Sequence, residues 1–495
     1  MPSWVPKASK PASWPRCSTF GVPRVHLTIR EMVQGSTSLM SGVFWGKLWR
    51  VVSNHFPSRS SLLNCNMKAR LFLALFVLCT KRCLSNGTAE VSSENLWLLN
   101  DTDQQYPDII APDPFEETSA PAFSMHNFTE KITNFGFNLY RKIAMKHDNN
   151  VFFSPLSMSF TLAAFLLASS GETHNQIAEC LDLHLPNGRE NEFLALFQQL
   201  RDNFTKNEDF TLLQTSFSFI QKDFQIRDIF LNLSKQYFDM EFLSVDFRNS
   251  TLAKNIVNEH IKQRLRGKIP MLFDTFDQQT KIILMNYILF RGKWLHPFSS
   301  KFTEVEPFHI DKYRTVHVPM MFKTEKFAYT EDKNLQCTVL KLPYKGNAHM
   351  LIVMPEKGAD YMSIEDHVTS ELVESWLKTM QTRKTEIYFP KFKLDQTYYM
   401  EQMLQEMGIK DLFSYKADLS NLTDQKYAKV SQILQRSVIH VDERGTEAAA
   451  ISKSEVMAFS LPLTIRVNQP FLFMIYDGHL KVLLFVGRVT NPMEL

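Results

Sequence analysis

Residues 443–470 read ERGTEAAAISKSEVMAFSLPLTIRVNQP, and this stretch decides the fold. Alternate positions from Thr446 to Ala458 carry only small side chains, whereas the positions between them are mostly long or charged. Since alternate side chains of a strand point to opposite faces, the stretch can join a packed sheet with its small face buried. Three consecutive alanines and a lysine nevertheless make it a poor strand in isolation. We predict a segment that forms a loop first and a strand later.

Beyond this hinge, four motifs in chain order resemble the serpin family, and the resemblance covers about residues 125–495. FFSPLS at 152–157 resembles the start of the central helix, and NYILFRGKW at 286–294 resembles the strand that ends in the breach tryptophan. VNQPFLF at 467–473 and GRVTNP at 487–492 resemble the two C-terminal signatures. The resemblance implies an α+β serpin fold, in which helices pack around a large mixed central sheet and residues 443–465 form an exposed reactive-centre loop.

The resemblance also implies roles for individual residues. The hinge residues would be Glu443, Gly445, Thr446, Ala448 and Ala450, and the shutter and breach residues would be Ser154, Ser157, Asn286 and Trp294. The family geometry places the reactive bond fourteen residues beyond Gly445, at Phe459–Ser460. One departure is Gln435, which stands where the family usually has a histidine.

The implied activity is inhibition of a serine protease by a suicide-substrate mechanism. The protease would cleave the reactive bond, remain attached as an acyl-enzyme, and be trapped when the cleaved arm enters the central sheet. The small inward residues of the hinge enter a sheet at little cost, which favours inhibition. The sequence contains no H-E-x-x-H, paired C-x-x-C, G-x-S-x-G or phosphate-binding glycine loop, so we predict no catalytic and no metal-binding residues.

One branch of the serpins, inhibitors of coagulation proteases, is more closely similar. The similarity lies in NFGF at 134–137, RKI at 141–143, GKIP at 267–270, FHIDKY at 308–313 and VDERG at 441–445. It implies inhibition of factor Xa with protein Z as a protein cofactor, and of factor XIa without it. Calcium and phospholipid would act only through protein Z, with no cofactor bound directly to this chain.

The implied protein Z docking residues are Met145, Asp148, Asp311, Tyr313 and Asp366. Met145 and Asp148 are three apart, which predicts one helix face. Asp311 and Tyr313 are two apart, which predicts one strand face. Heparin binding is doubtful, because residues 176–191 contain only two basic side chains, His184 and Arg189.

The N-terminal region contains three different segments. Residues 1–66 carry eight basic residues and one acid, and we interpret them as a non-native upstream extension, the rival being a genuine leader. Residues 67–85 have a short positive region followed by the apolar run 71–78, which is typical of a secretory signal peptide. Residues 86–124 form an acidic tail whose composition predicts disorder. The serpin domain would then occupy residues 125–495.

Secretion agrees with seven Asn-x-Ser/Thr sequons, at Asn86, Asn100, Asn127, Asn203, Asn232, Asn249 and Asn421. Only Cys180 and Cys337 fall within the domain, and we expect both to be buried free thiols rather than a disulfide framework. The net charge of +3 gives no reason to expect a nucleic-acid partner. We therefore expect a secreted extracellular monomer of plasma, with no direct membrane insertion.

Hydrophobic spacing predicts helices at 131–147, 155–168 and 252–266, the last closed by Gly267, and strands at 211–220 and 281–290. The predicted helices and strands do not alternate in a βαβ order, which indicates an α+β class.

Two other functions stay open beside coagulation. Phe459 suits the aromatic pocket of chymotrypsin-like proteases, whereas the pocket of trypsin-like enzymes prefers Arg or Lys. A non-inhibitory serpin that carries a hormone is the second alternative, and the small hinge residues disfavour it.

Overall fold

The computed structural model describes residues 124–184, 190–205, 209–445 and 462–494, which lie within the unit Phe115–Leu495. The helices of these residues are α1 Met125–Ala144, α2 Pro155–Ala168, α3 Gly171–Cys180, α4 Glu190–Thr205, α5 Asp228–Phe238, α6 Ser250–Arg264, α7 Tyr361–His367, α8 Ser370–Thr379 and α9 Glu401–Glu406. Single 3-10 turns lie at Ser300–Phe302 and Asp411–Phe413. The strands are β1 Val151–Phe153, β2 Phe210–Gln221, β3 Met240–Val245, β4 Ile282–Gly292, β5 Glu304–His309, β6 Thr315–Asp332, β7 Cys337–Pro343, β8 Ala348–Pro355, β9 Gln381–Pro390, β10 Phe392–Tyr399, β11 Gln432–Val441, β12 Leu463–Arg466, β13 Phe471–Asp477 and β14 Val482–Val489.

The strands form two mixed sheets. A nine-stranded sheet has the order β1-β14-β13-β8-β7-β6-β9-β12, with β5 paired to β6. A five-stranded sheet has the order β10-β11-β4-β2-β3, in which β11 runs parallel to β4. The expected α+β class and the large mixed sheet are confirmed.

Helix α2 lies in the core, where it packs against β14 of one sheet and β4 of the other. Every residue of α2 except Leu167 is buried, as expected for a helix that is apolar on all sides. Its start is fixed by Ser154, whose Oγ accepts a hydrogen bond from the Ser157 amide at 3.2 Å, and by Pro155 in the first turn. The predicted bounds of this helix are confirmed.

Strand β4, at the centre of the five-stranded sheet, is buried on both faces. Met285 and Tyr287 of β4 belong to a second apolar cluster, which contains Phe217 and Phe219 of β2 and Val257 of α6. The alternate residues of β4 contribute to the main core instead. A strand buried on both sides is apolar throughout, which explains why residues 281–290 could be predicted as a strand.

The helix boundaries differ from the predictions where side chains cap the helix. Helix α1 begins at Met125 rather than 131, because Ser124 Oγ accepts a hydrogen bond from the Asn127 amide at 3.2 Å. It ends at Ala144 rather than 147. Helix α6 begins at Ser250 rather than 252, because Asn249 caps it. Gly267 closes it as predicted, at φ +74°, and donates to the Lys262 carbonyl at 2.7 Å.

A buried ion pair joins Arg488 of β14 to Glu365 of α7, and Arg488 also contacts the segment after α1. Arg488 and Glu365 are both buried, and Nη1 of Arg488 lies 3.0 and 2.9 Å from the two carboxylate oxygens. The Tyr140 hydroxyl donates to the same carboxylate at 2.5 Å. Burial raises the pKa of Glu365, while Arg488 and the Tyr140 hydrogen bond act in the opposite direction. Arg488 Nη2 also donates to the His147 carbonyl.

We predict that Arg488→Met lowers the free energy of unfolding by about 3–5 kcal/mol, because it leaves the Glu365 carboxylate buried without a counter-charge. Urea denaturation monitored by tryptophan fluorescence measures the change. The double variant Arg488→Met/Glu365→Gln should recover part of the loss. Strictly additive losses would show that the two side chains are not coupled.

Candidate functional site at the central sheet

The centre of the five-stranded sheet is a seam between the parallel strands β4 and β11. Their ladder begins at Ile283 and Gln432 and ends at Leu289 and Val438. Both strands continue beyond that point, to residues 292 and 441, without pairing to each other. The seam is therefore closed along most of its length and open at one end.

The direction of β4 and β11 decides how a further strand in this seam would pair with them. A chain that leaves the end of β11 and turns back into the seam runs antiparallel to both β11 and β4. It exchanges one parallel ladder for two antiparallel ladders, which are slightly more stable per residue. The sheet can thus gain backbone hydrogen bonds by admitting the segment that follows β11.

A tight turn at residues 442–445 stands at the open end of the seam. The amide of Asp442 donates to the Gly445 carbonyl at 3.0 Å, and the amide of Gly445 donates back at 3.2 Å. The carbonyls of Arg444 and Glu443 accept hydrogen bonds from the amides of Trp294 and Phe298, at 3.2 and 2.8 Å. The turn is therefore bonded to the segment that follows β4.

Gly445 is required by this turn on two grounds. Its φ is +112°, in the region that favours glycine, and a Cβ there would lie 2.3 Å from the Gly292 carbonyl oxygen. The hinge residue Gly445 therefore combines a special backbone conformation with close approach to β4. Thr446, Ala448, Ala450 and the Phe459–Ser460 bond lie outside the described residues.

Two side chains form hydrogen bonds to the carboxylate of Glu443, one of the predicted hinge residues. Lys391 Nζ lies 2.9 Å from one carboxylate oxygen, and the Thr303 hydroxyl donates to the other at 2.8 Å. Partial burial alone would raise the pKa of Glu443, but the hydrogen bonds, including those from Lys391 and Thr303, outweigh it, so the pKa lies below its usual range. The carboxylate is thus ionised and anchors the turn to the end of β9. Lys391 carries no signal in the sequence that would have identified this role.

Trp294, the predicted breach residue, contacts the turn from the other side. It is buried and stacks on Tyr344, with ring centroids 4.3 Å apart and planes 9° apart. Its indole N–H donates to the Asp442 carbonyl at 2.9 Å. The predicted breach tryptophan therefore lies at the open end of the seam.

The shutter residues meet at the middle of the seam. Asn286 of β4 and Gln435 of β11 are direct partners in the parallel ladder, and both are buried. Asn286 Nδ2 donates to Thr161 Oγ1 of α2 at 2.5 Å. Ser154 Oγ donates to the Leu484 carbonyl of β14 at 2.8 Å. Ser157 is buried in the first turn of α2, and its amide donates to Ser154 Oγ. Opening the seam separates Asn286 from Gln435.

Gln435 takes the place of the usual histidine and forms hydrogen bonds through both its amide oxygen and its amide nitrogen. Its Oε1 accepts from the Ser154 amide at 2.9 Å, and its Nε2 donates to the Ser154 carbonyl at 3.0 Å. The Ser437 hydroxyl also donates to Oε1, at 3.2 Å. An amide does not titrate near neutral pH, whereas a histidine does. This closure of the seam is consequently independent of protonation at position 435.

The five residues expected to dock protein Z are all exposed, but two geometric predictions about them are wrong. Met145 and Asp148 do not share a helix face, because α1 ends at Ala144 and both lie in the turn that follows. Asp311 and Tyr313 do not share a strand face, because they lie in the turn between β5 and β6. Asp311 Oδ1 accepts from the amides of Tyr313 and Arg314, both at 2.8 Å, so the carboxylate shapes its own turn.

Asp148 and Asp366 lie on segments that contact one guanidinium. Arg488 bonds to the carbonyls of His147 and Asn149, which flank Asp148, and to Glu365, which precedes Asp366. The two apolar residues among the five predicted docking residues are highly exposed, with 77% of Met145 and 95% of Tyr313 accessible to solvent. The buried ion pair therefore orders two of the segments that carry the predicted docking residues.

The five sequon asparagines among the described residues are exposed: Asn127, Asn203, Asn232, Asn249 and Asn421. Asn86 and Asn100 lie outside that part of the chain. Cys337 is buried and Cys180 is partly buried, and both are free thiols. Burial raises the pKa of each thiol to about 12.

The described ranges offer neither a metal site nor a membrane-spanning helix. They contain no group of three or more His, Cys, Asp or Glu side chains placed to hold a metal ion. No helix within them has the length and hydrophobicity needed to cross a membrane.

Known sequences and structures are similar to this chain over most of its length. Residues 130–492 match the family described as serpin (serine protease inhibitor). The chain is 50% identical over 374 residues to the human protein Z-dependent protease inhibitor, which covers 75% of this chain and 84% of the relative. The crystal structure of the mouse protein-Z dependent protease inhibitor superposes with a TM-score of 0.70 at 47% identity, covering 74% of this chain and 98% of that one.

A crystal structure of human thyroxine-binding globulin complexed with thyroxine also superposes with a TM-score of 0.70, at 33% identity, covering 75% of this chain and all of that one. The family match covers well over half of the chain. The chain therefore belongs to the serpin family of serine protease inhibitors.

Proposed function

We propose that this chain is a secreted inhibitor of coagulation proteases, which traps factor Xa with protein Z as its cofactor and factor XIa without it. The observation that supports trapping most directly is the seam, whose ladder ends before β4 and β11 do, beside the Gly445 turn that pairs with Lys293. The choice of cofactor rests on the 50% identity to the human relative, whose name states dependence on protein Z. The choice of factor Xa and factor XIa rests on the resemblance of the sequence motifs to inhibitors of coagulation proteases.

The mechanism begins as ordinary proteolysis. The protease serine attacks the carbonyl carbon of Phe459, the bond to the Ser460 nitrogen breaks, and the new amine leaves with a proton. The acyl-enzyme ester then links the protease to Phe459. Cleavage frees residues 446–459 to fill the seam antiparallel to β4 and β11, which carries the attached protease away and distorts its active site before water can hydrolyse the ester.

We predict that Thr446→Arg converts the inhibitor into a substrate. The alternation of the sequence places Thr446 on the buried face of the inserted strand, where an unpaired guanidinium costs on the order of several kcal/mol. Electrophoresis in SDS should show cleaved chain accumulating while the covalent complex disappears. Glu447→Arg is the matched control, because its side chain points to the opposite face, and it should still form the complex. Undiminished complex with Thr446→Arg would refute the insertion register.

We predict that the covalent complex forms at Phe459–Ser460. Lys453 is the only basic residue between Thr446 and Ser460 and suits a trypsin-like pocket. Cleavage there would leave an arm of about eight residues, which at roughly 3.3 Å per residue spans only about 26 Å. So short an arm cannot carry a protease to the far end of the sheet, and cleavage at Lys453 should give simple hydrolysis.

Mass spectrometry of the peptide released from the C-terminal side tests this bond. The peptide should begin at Ser460, and Phe459→Ala should slow complex formation sharply. Lys453→Ala is the control and should leave the rate of complex formation unchanged. A released peptide that begins at Ser454 would contradict the assignment.

We propose that protein Z docks on a surface made by Met145, Asp148, Asp311, Tyr313 and Asp366. Exposed tyrosine and methionine are typical of interface anchors, and carboxylates can pair with cations of a partner. Calcium and phospholipid act through protein Z, and this chain needs no cofactor of its own. Heparin has no evident site at residues 176–191, which fits a monomer that depends on a protein cofactor.

We predict that Asp366→Ala weakens protein Z binding by about 2 kcal/mol or more, if the carboxylate pairs with a buried cation of the partner. Surface plasmon resonance measures the affinity. Inhibition of factor XIa should be unchanged, because residues 443–465 are untouched. Asp274→Ala changes an exposed carboxylate between α6 and β4 and should alter neither activity. Equal losses against both proteases would indicate misfolding, since Asp366 also interacts with Arg141.

Two alternatives have a specific observation behind them. Phe459 suits chymotrypsin-like proteases, and the superposition on thyroxine-binding globulin raises the question of a hormone carrier. A covalent complex with factor Xa that depends on protein Z would exclude both. A complex with chymotrypsin-like enzymes alone would favour the first, and thyroxine binding without any complex would favour the second.

A further inference from the structure

Helix α6 carries exposed apolar side chains beside the face that packs on the five-stranded sheet. Ala253, Val257 and Ile261 form the buried face. Leu252 and Ile256 each precede one of these residues, and they are 49% and 39% exposed. Because they are four positions apart, they are neighbours on the surface of the helix.

The apolar surface continues into an open groove of about 750 Å³ beside α6. Ile256 and Met271 both line this groove, and Met271 is 54% exposed. The segment after Met271 is fixed to the helix by Asn258, whose Nδ2 donates to the Phe273 carbonyl at 2.8 Å. Leu252, Ile256 and Met271 therefore form one apolar surface, which we call the α6 strip.

Asn249 lies at the N-terminal end of the α6 strip and begins the sequon Asn249-Ser250-Thr251. Its Oδ1 accepts a hydrogen bond from the Leu252 amide at 3.1 Å, which holds its side chain at the first turn of α6. The residue is exposed, and its Nδ2 makes no hydrogen bond within the described ranges. The oxygen of this amide thus caps the helix, while the nitrogen that a sequon uses is available.

We propose that Asn249 carries an N-linked oligosaccharide whose first sugars pack on the α6 strip. The inference rests on the proposed secretion of the chain, because such transfer takes place on the secretory route. Nδ2 forms a bond to the anomeric carbon of the first N-acetylglucosamine, and the bond from that carbon to the phosphate of a lipid-linked oligosaccharide breaks. The lipid diphosphate leaves, and one Nδ2 proton is released.

The modified side chain keeps its place in the fold. Oδ1 remains an acceptor after the transfer, so the hydrogen bond from the Leu252 amide is retained. Ile256 is seven positions after Asn249, which is about 10 Å along a helix, so the first sugars can reach it. The C–H groups of the sugar rings and the acetyl methyl group cover the aliphatic side chains, and burial of such surface is favourable.

A second sequon shows the same association with an exposed aliphatic residue. Asn232 of α5 is exposed, and Ile229, three positions before it on the same helix, is 74% exposed. Asn203 of α4 differs, because no large apolar side chain is exposed among the described residues of that helix. Its Nδ2 also donates to the Gln199 carbonyl at 2.9 Å. Asn203 therefore provides a comparison sequon.

Two substitutions of the exposed Thr251 test the modification in the full chain secreted from cultured animal cells. Thr251→Ala removes the sequon and leaves the Asn249 cap in place, whereas Thr251→Ser keeps the sequon. Intact mass spectrometry should show one oligosaccharide fewer in Thr251→Ala and none lost in Thr251→Ser. Equal numbers in both variants would overturn the modification of Asn249. If every sequon is empty, the proposed secretion fails too, whereas an empty Asn249 beside occupied sequons contradicts this inference alone.

Fluorescence of the dye anilinonaphthalene sulfonate, which binds exposed apolar surface, tests the packing. It should be at least twofold higher with Thr251→Ala than with Thr251→Ser. Adding Leu252→Gln/Ile256→Gln to Thr251→Ala should remove this increase, and the same pair should change the glycosylated chain little. Asn203→Gln is the matched control, because it removes a sequon that has no apolar strip, and it should leave the fluorescence unchanged. No increase with Thr251→Ala, an equal increase with Asn203→Gln, or an increase that persists without Leu252 and Ile256 would overturn the packing.

Discussion

The parallel ladder between β4 and β11 is the constraint on which the rest of the structure depends. A parallel pair cannot be joined by a tight turn, and here the connection between the two strands runs through much of the chain. The ladder stops at Leu289 and Val438, before either strand ends. The sheet consequently holds a position where another strand gives two ladders in place of one. The proposed mechanism requires that this position stay closed until the following segment is cleaved.

Two sets of contacts keep it closed, and they differ in kind. At the middle, Gln435 and Asn286 connect the seam to Ser154 and Thr161 through buried hydrogen bonds. Buried polar groups are costly when their partners leave, so these bonds resist separation of the strands. At the open end, aromatic stacking around Trp294 and the ion pair of Glu443 fix the turn. The turn can release without disrupting the core, because its bonds are mostly to backbone and side chains at the end of the sheet.

The sequence predicted most of the fold that depends on local pattern. The apolar run at 281–290 and the helix at 155–168 could be recognised because burial on all sides leaves a continuous apolar sequence. The start of α1 at Met125 differs from the predicted 131 because the Ser124 cap acts through a hydrogen bond that periodicity does not encode. The two-residue spacing of Asp311 and Tyr313 predicts a shared strand face, but both residues lie in the turn of a hairpin, where strand alternation does not apply. The role of Lys391 depends on its contact with Glu443, which is distant in the chain, and spacing in one sequence cannot reveal such a contact.

The proposed docking surface lies apart from the seam. A cofactor bound there could help an aromatic reactive residue to serve against a trypsin-like protease. Phe459 fits such a pocket poorly, so the contacts at the reactive bond supply little binding energy. Energy from contacts remote from the reacting atoms can offset that deficit when a cofactor holds inhibitor and protease together. The segments of Asp148 and Asp366 suit this task because the Arg488–Glu365 ion pair fixes them to β14, outside the sheet that must open. Docking and insertion can therefore proceed on separate parts of the fold.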